Sequence, residues 1–256
     1  MKILAIGDVV SQVGRNMVFE VLELIRYKVD FIIANCENAA HGRGMTKPVY
    51  EELCRSGIDI FTMGNHTWGC PDIVKVMKYS DNVIRPANFE GDCPGEGYAI
   101  KLAKNGVRVG VINLIGRTYM QPAENPFFTA DKCIERIKSK CDIIMVDFHA
   151  EATSEKIALG YYLDGKVSTV FGTHTHVQTA DDTVLPKGTG YITDLGMTGP
   201  VHSVLGMNKD IIIERFLNGL PQKFDVATGR GQFCGCIFEI DETTGKTVST
   251  ERIYIR

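Results

Sequence analysis

Five short apolar runs in this chain each stop at residues with metal-binding side chains. Ile3–Ile6 gives way to Gly7-Asp8, Phe31–Ala34 to Asn35-Cys36-Glu37-Asn38, and Ile58–Met63 to Gly64-Asn65-His66. Asp142–Phe148 gives way to His149, and Ser168–Phe171 to Gly172-Thr173-His174-Thr175-His176. Runs of this length read as buried strands, and the segments after the first three carry helical periodicity. Expected helices cover residues 16–27, 48–54 and 71–78. This βαβαβα alternation argues for parallel strands covered by helices. Sites in open α/β sheets form at the carboxyl ends of strands. The strand ends would therefore deliver Asp8, Glu37, Asn38, Asn65, His66, His149, His174 and His176 to one rim.

The middle of the chain changes character. Tyr98–Leu102 and Val107–Leu114 flank Lys104-Asn105-Gly106, a hairpin signal. Helices are expected near residues 131–138, 155–163 and 209–217. A last hairpin, Gly235–Ile240 with Thr247–Ile255, turns at Thr244-Gly245. No linker, repeat or low-complexity segment interrupts the 256 residues. The expectation is α/β: a two-sheet sandwich with helices outside, spanning 1–256 as a single domain.

Only six histidines occur, and four of them follow apolar strands. In an extended segment, residues i and i+2 face the same way, so His174 and His176 could share one face and reach one ion or two. Oxygen and imidazole donors without thiolate suit manganese, iron or zinc. Two ions about 3.5–4 Å apart, bridged by a carboxylate, make a hydrolytic site. Taken singly, each residue has a plainer reading: Asp8 could cap the next helix, Glu37 could be a solvated loop charge, and a strand-end histidine could simply hydrogen-bond its loop. The joint pattern is what favours metal.

Other classes fail on the residues. Net charge is −3 with pI about 6.1 and no basic run, so nothing marks a nucleic-acid or membrane surface. No stretch is apolar enough to span a membrane, and the run at the N-terminus meets Asp8 too soon for a signal peptide. The eight cysteines show no C-x-x-C, and Cys234-Gly-Cys236 is too tight for a zinc knuckle. Reduced, mostly buried thiols in a cytoplasmic protein are expected. P-loop, dinucleotide, nucleophile-elbow and H-E-x-x-H signatures are absent. His149-Ala150-Glu151 matches the H-x-E of zinc deaminases, but the P-C-x-x-C that must accompany it is missing.

At these residues the chain resembles the calcineurin-like metallophosphoesterases, and within them the bacterial YmdB-like family. GDVV at 7–10, NCENAAHGRGMT at 35–46, TMGNHTW at 62–68, RPANF at 85–89, DFHAEATSEK at 147–156, GTHTHVQTAD at 172–181 and TDLGMTGP at 193–200 carry the likeness. GNH and GTHTH mark the superfamily; the NxENAA, HAExTSEK and GMTGP combination marks the branch. The resemblance implies a four-layer αββα sandwich with mixed sheets. It implies a metal-dependent phosphodiesterase acting on 2′,3′-cyclic nucleotides such as 2′,3′-cyclic AMP through a hydroxide activated by two ions, di- or trivalent, iron or manganese, with zinc as an alternative. Asp8 and His176 would hold one ion, Asn65, His149 and His174 the other, and Glu37 would bridge. Val10 stands where the wider superfamily has a histidine, and Asn38 is expected to supply the missing contact. His66 would be the catalytic histidine. Arg15, His41 and Thr198 are candidate substrate contacts, the last in a glycine-rich loop. Two departures stand out: Ser11 where glycine is common after GDVV, and Gly69 where an acidic residue is common after NHTW. A nucleotide phosphomonoesterase and a regulatory nucleotide-binding protein on the same fold are the alternatives. The partner implied is a small nucleotide or phosphodiester; whether the chain forms a homo-oligomer is left open.

Overall fold

The structure is a computed structural model describing residues 1–256. The first half builds strands β1 (Lys2–Ile6), β2 (Asp8–Val9), β3 (Phe31–Asn35), β4 (Ile60–Thr62) and β5 (Val83–Ile84), with helices α1 (Ser11–Ile25), α2 (Lys47–Cys54) and α3 (Asp72–Tyr79) between them. The middle gives β6 (Tyr98–Leu102), β7 (Arg108–Ile115), α4 (Pro126–Ile137), β8 (Ile143–His149), α5 (Thr153–Leu163) and β9 (Thr169–Thr173). The remainder gives β10 (Thr183–Val184), β11 (Gly190–Ile192), β12 (Met197–Pro200), α6 (Lys209–Asn218), β13 (Gly231–Ile240) and β14 (Thr247–Ile255).

One sheet runs β2-β12-β13-β1-β3-β4-β5, with β14 also pairing β13; the other runs β10-β11-β9-β8-β7-β6. β1, β3, β4 and β5 are mutually parallel, while β13 is antiparallel to β1. β7, β8, β9 and β11 are likewise parallel, and β6 and β10 close the edges antiparallel. Both sheets are therefore mixed.

Strands buried on both faces explain the unbroken apolar runs. Ile3, Ala5, Phe31 and Ile33 of the first sheet pack against Val109, Val111, Met145 and Phe171 of the second. On its outer face the first sheet meets Val18, Val21, Leu22, Leu53, Ile73 and Val76 from the first three helices. The second meets Ala130, Ile134 and Ile137 of α4 and Leu159 and Leu163 of α5. The layers are thus helix, sheet, sheet, helix, as expected.

The structure departs from the expected elements at three kinds of place. α1 begins at Ser11, not residue 16: Val10 precedes it with no side-chain cap, so no residue type announces the start. α4 begins at Pro126, five residues early, because Asn125 accepts a hydrogen bond from the Phe127 amide at 2.9 Å and proline follows at the first helical position. β2, β5 and β12 are additions to the expected set, because strands of two to four residues are too short to show a period. β12 turns the glycine-rich loop expected around Thr198 into buried sheet.

Candidate metal centre

The parallel strands of both sheets end on one rim. From the first sheet, β1 leads to Asp8, β3 to Glu37 and Asn38, and β4 to Asn65 and His66. From the second, β8 ends at His149 and β9 leads to His174 and His176.

The donors meet around the imidazole of His149. Its Nε2 lies 2.8 Å from Asn65 Oδ1, 3.1 Å from Glu37 Oε1 and 3.1 Å from His174 Nδ1. Glu37, His149 and His174 each offer an atom within 4.8 Å of the others, enough to hold an ion. The opposite ring nitrogen is tied down: Nδ1 of His149 sits 2.9 Å from Thr173 Oγ1, and that hydroxyl donates to buried Asp147 at 2.7 Å. An imidazole held this way presents Nε2 to the rim. Gly64 is required for the approach, since a Cβ there would lie 2.3 Å from the His149 ring.

A second group of donors adjoins the first. His176 Nε2 lies 3.7 Å from Asp8 Oδ1 and 3.3 Å from the Asn38 amide nitrogen. That same amide lies 3.4 Å from Glu37 Oε1. Glu37 therefore touches both groups. Asp8 Oδ1 is buried without a hydrogen-bond partner, although Oδ2 accepts from the His174 amide at 3.0 Å. A carboxylate oxygen left bare inside the protein costs free energy unless something cationic meets it. The donor set is carboxylate, amide and imidazole with no thiolate, so the residues present fit hard to borderline transition-metal ions.

Without metal the donors answer one another's charge, and burial raises the proton affinity of the Asp8 carboxyl. Burial pushes Glu37 up, but the adjacent His149 outweighs it by charge and hydrogen bond, with His66 adding to the effect; the carboxyl ends at about 2 and is ionised. Burial, with the neighbouring His149 charge, drives His174 down to about 3, so its imidazole is neutral and ready to donate a lone pair. Its 3.1 Å contact from Nε2 to Glu151 is accordingly a hydrogen bond from a neutral ring and not an ion pair. Burial opposes protonation of His149, but Glu37 and then Asp8 and Asp147 hold its proton up to about 9.

His66 stands apart from the cluster while touching it. Its amide donates to Glu37 Oε2 at 2.6 Å and its Nδ1 lies 2.7 Å from Asn38 Oδ1. The side chain is one-third exposed. Burial lowers its affinity for a proton, against the pull of Glu37.

The expected extended geometry of the His174–His176 segment is corrected. β9 ends at Thr173, and both histidines take left-handed backbone, with φ of 101° and 64°. The turn sends His174 toward His149 and His176 toward Asp8. Asn65 and His66 lie in a turn beyond β4.

Two expected substrate contacts are otherwise engaged. Arg15 is buried; its guanidinium donates to the Ala39 carbonyl at 2.6 Å and pairs with Glu52 at 3.0 Å, which anchors the loop after Glu37. Thr198 is fully buried on β12, its hydroxyl 3.1 Å from the Cys234 amide, which donates to it. Neither is free for phosphate. His41 is exposed in the 36–46 loop with no side-chain hydrogen bond. The cysteines are all free thiols, five of eight buried, and no helix is long and apolar enough to cross a membrane. The supporting residues Asp147, Thr173 and Glu151 were missed as site residues. The signal for Asp147 was present, a lone charge inside the apolar run Ile143–Phe148.

The likeness to known proteins covers the whole chain. A 2′,3′-cyclic-nucleotide 2′-phosphodiesterase of Bacillus subtilis (strain 168) is 51% identical over 257 residues, which take in 100% of this chain and 97% of that one. A crystal structure of a hypothetical protein from Thermus thermophilus superposes with a TM-score of 0.94 at 40% identity, covering 99% of this chain and 98% of the other. One described as a novel phosphatase from Mycoplasma pneumoniae gives 0.92 at 38% identity, covering 100% and 93%. The family model described as "YmdB-like protein" matches residues 4–253, and with this fold and this rim of donors the chain belongs to the YmdB-like family.

Proposed function

We propose that this chain is a metal-dependent phosphodiesterase that opens 2′,3′-cyclic nucleotides. The observation that carries the reading is Glu37, whose Oε1 reaches His149 Nε2 at 3.1 Å on one side and the Asn38 amide at 3.4 Å on the other. A carboxylate so placed can bridge two cations. Asp8, Asn38 and His176 would hold one ion, and Asn65, His149 and His174 the other. Asn38 would reach the ion through its oxygen only with the amide turned over and His66 neutral; as it stands, Oδ1 lies 2.7 Å from His66 Nδ1 and can accept the proton of a charged ring. When bound, iron, manganese or zinc would supply Lewis-acid charge for the phosphate and for the attacking water.

The chain's own groups divide the remaining work. Glu37 and Asp8 fix the charge of the site. His149 is aimed by Thr173 and Asp147. His66, one-third exposed and held through Nδ1 by Asn38, faces the substrate with Nε2. Hydrolysis adds water's oxygen to phosphorus and breaks the P–O bond to the sugar; the leaving oxygen needs a proton, and His66 is placed to deliver it. Breaking the 2′ ester would leave a 3′-monophosphate, the outcome implied by the name of the Bacillus relative. His41 is the remaining candidate for contact with the base or sugar.

The test is a panel of 2′,3′-cyclic AMP, 3′,5′-cyclic AMP, bis(4-nitrophenyl) phosphate and AMP with metal-free and Mn2+- or Fe2+-loaded protein. Ring opening of 2′,3′-cyclic AMP to 3′-AMP, only when loaded, is expected. Release of inorganic phosphate from AMP as the fastest reaction would replace this reading with a phosphomonoesterase.

A further inference from the structure

The branch motifs HAEATSEK and TDLGMTGP contain a charged pair that no part of the proposed chemistry uses. Lys156, on α5, and Asp194, between β11 and β12, are both fully buried. Lys156 Nζ lies 2.6 Å from Asp194 Oδ2 and donates to the Thr173 carbonyl at 2.8 Å. Asp194 Oδ2 also accepts from the Thr175 amide at 3.1 Å, and Oδ1 from the Gly196 amide at 2.8 Å.

These bonds bracket the turn that carries two of the proposed metal donors. Thr173 precedes His174 and Thr175 separates it from His176, and both histidines hold left-handed backbone that non-glycine residues disfavour. Such a conformation persists only where its surroundings fix it. The Lys156 ammonium fixes the carbonyl before the turn, and the Asp194 carboxylate fixes the amide between the histidines. Burying two charges is expensive, and apolar replacements of similar size are often no less stable. Stability alone therefore does not account for the pair.

We infer that Lys156 and Asp194 are a positioning pair that sets the His174–His176 turn to the geometry metal binding requires. The inference rests on the metal-site reading above. Neither residue touches an ion or substrate; each acts through the backbone of the turn. Partners that orient a ligand in this way typically contribute on the order of 10–100-fold in metal affinity.

The test compares wild type, Lys156→Gln and the double variant Lys156→Met/Asp194→Leu. Each is stripped of metal, checked for a cooperative thermal transition, and titrated with Mn2+ by calorimetry. We expect both variants to fold and to bind Mn2+ on the order of 10–100-fold more weakly than wild type. Affinity should stay low in the double variant whatever its Tm, because both anchors of the turn's backbone are gone; a purely structural role would instead have affinity follow Tm. Wild-type affinity in either folded variant would overturn the positioning role while leaving the metal site intact. A wild-type chain that takes up no Mn2+, Fe2+ or Zn2+ would overturn the metal reading itself. Should the double variant fail to fold, Lys156→Gln decides alone.

Discussion

Nε2 of His149 and Oε1 of Glu37 lie 3.1 Å apart, and both side chains are buried. Without metal each group answers the other's charge. The His149 proton affinity is raised from 6.5 to about 9, so the stability it contributes is fully present below pH 6.5 and is lost as pH rises through about 9. Glu37 is lowered from 4.5 to about 2, so its contribution is present above pH 4.5 and is lost as pH falls through about 2. Metal-free protein should therefore lose Tm between pH 6.5 and 9. Metal-loaded protein should not, since a metal-bound imidazole is already neutral. Thermal scans of both forms across that range check this; parallel curves would mean that His149 meets no metal.

Glu37→Gln keeps the shape and removes the charge. If Glu37 bridges, elemental analysis of loaded protein should fall from about two metals per chain to one or fewer, and turnover should fall with it. Full metal content with full activity would remove Glu37 from the bridge.

His66→Ala should retain its metals and its fold. Turnover of a cyclic nucleotide should drop on the order of 10²–10⁴-fold. Because a good leaving group needs no proton, the loss should be smaller on bis(4-nitrophenyl) phosphate. Equal losses on the two substrates would point to phosphate stabilisation in place of proton donation, and metal loss matching that of His174→Ala would make His66 a ligand.

Cys36 neighbours Glu37 but belongs to the core under the helices, fully buried, with burial raising its thiol well above the ordinary range. That shift disfavours the thiolate a nucleophile needs. Cys36→Ser should cost about 1–3 kcal/mol in urea unfolding, the cost of a buried hydroxyl without a partner, and leave turnover near wild type.

Ser11 holds φ of 58° and its buried hydroxyl has no partner. Glycine adopts that backbone freely and carries no hydroxyl. Ser11→Gly should stabilise the chain by about 1 kcal/mol, after the entropy that glycine costs in the unfolded state. A lower urea midpoint would show that the hydroxyl does more than fill space.

The sequence revealed the rim because strand ends combine two strong signals, an apolar run and an abrupt change to polar side chains. Asp8, Glu37, Asn65, His149 and His174 were legible on that ground alone. The geometry of Thr173–His176 was not. A period-two argument assumes extended backbone, and nothing local announces left-handed φ at histidine. The supports Lys156 and Asp194 were equally hidden, because a charged residue in a helix or loop reads as surface until tertiary packing buries it. Arg15 shows the reverse error: a basic residue near a suspected phosphate site was claimed instead by Glu52 and the Ala39 carbonyl.

The shared apolar layer between the two sheets bears on when the chain becomes competent. Asp8, Glu37, Asn38 and Asn65 ride on one sheet, His149, His174 and His176 on the other, so neither half carries the whole proposed set. The first sheet also places β13, near the carboxyl end, between β1 and β12. A nascent chain emerging amino end first must leave the flank of β1 unpaired until β13 has been made. Ions would then act as a clasp drawn across a finished seam. A truncated or half-docked chain would hold them poorly.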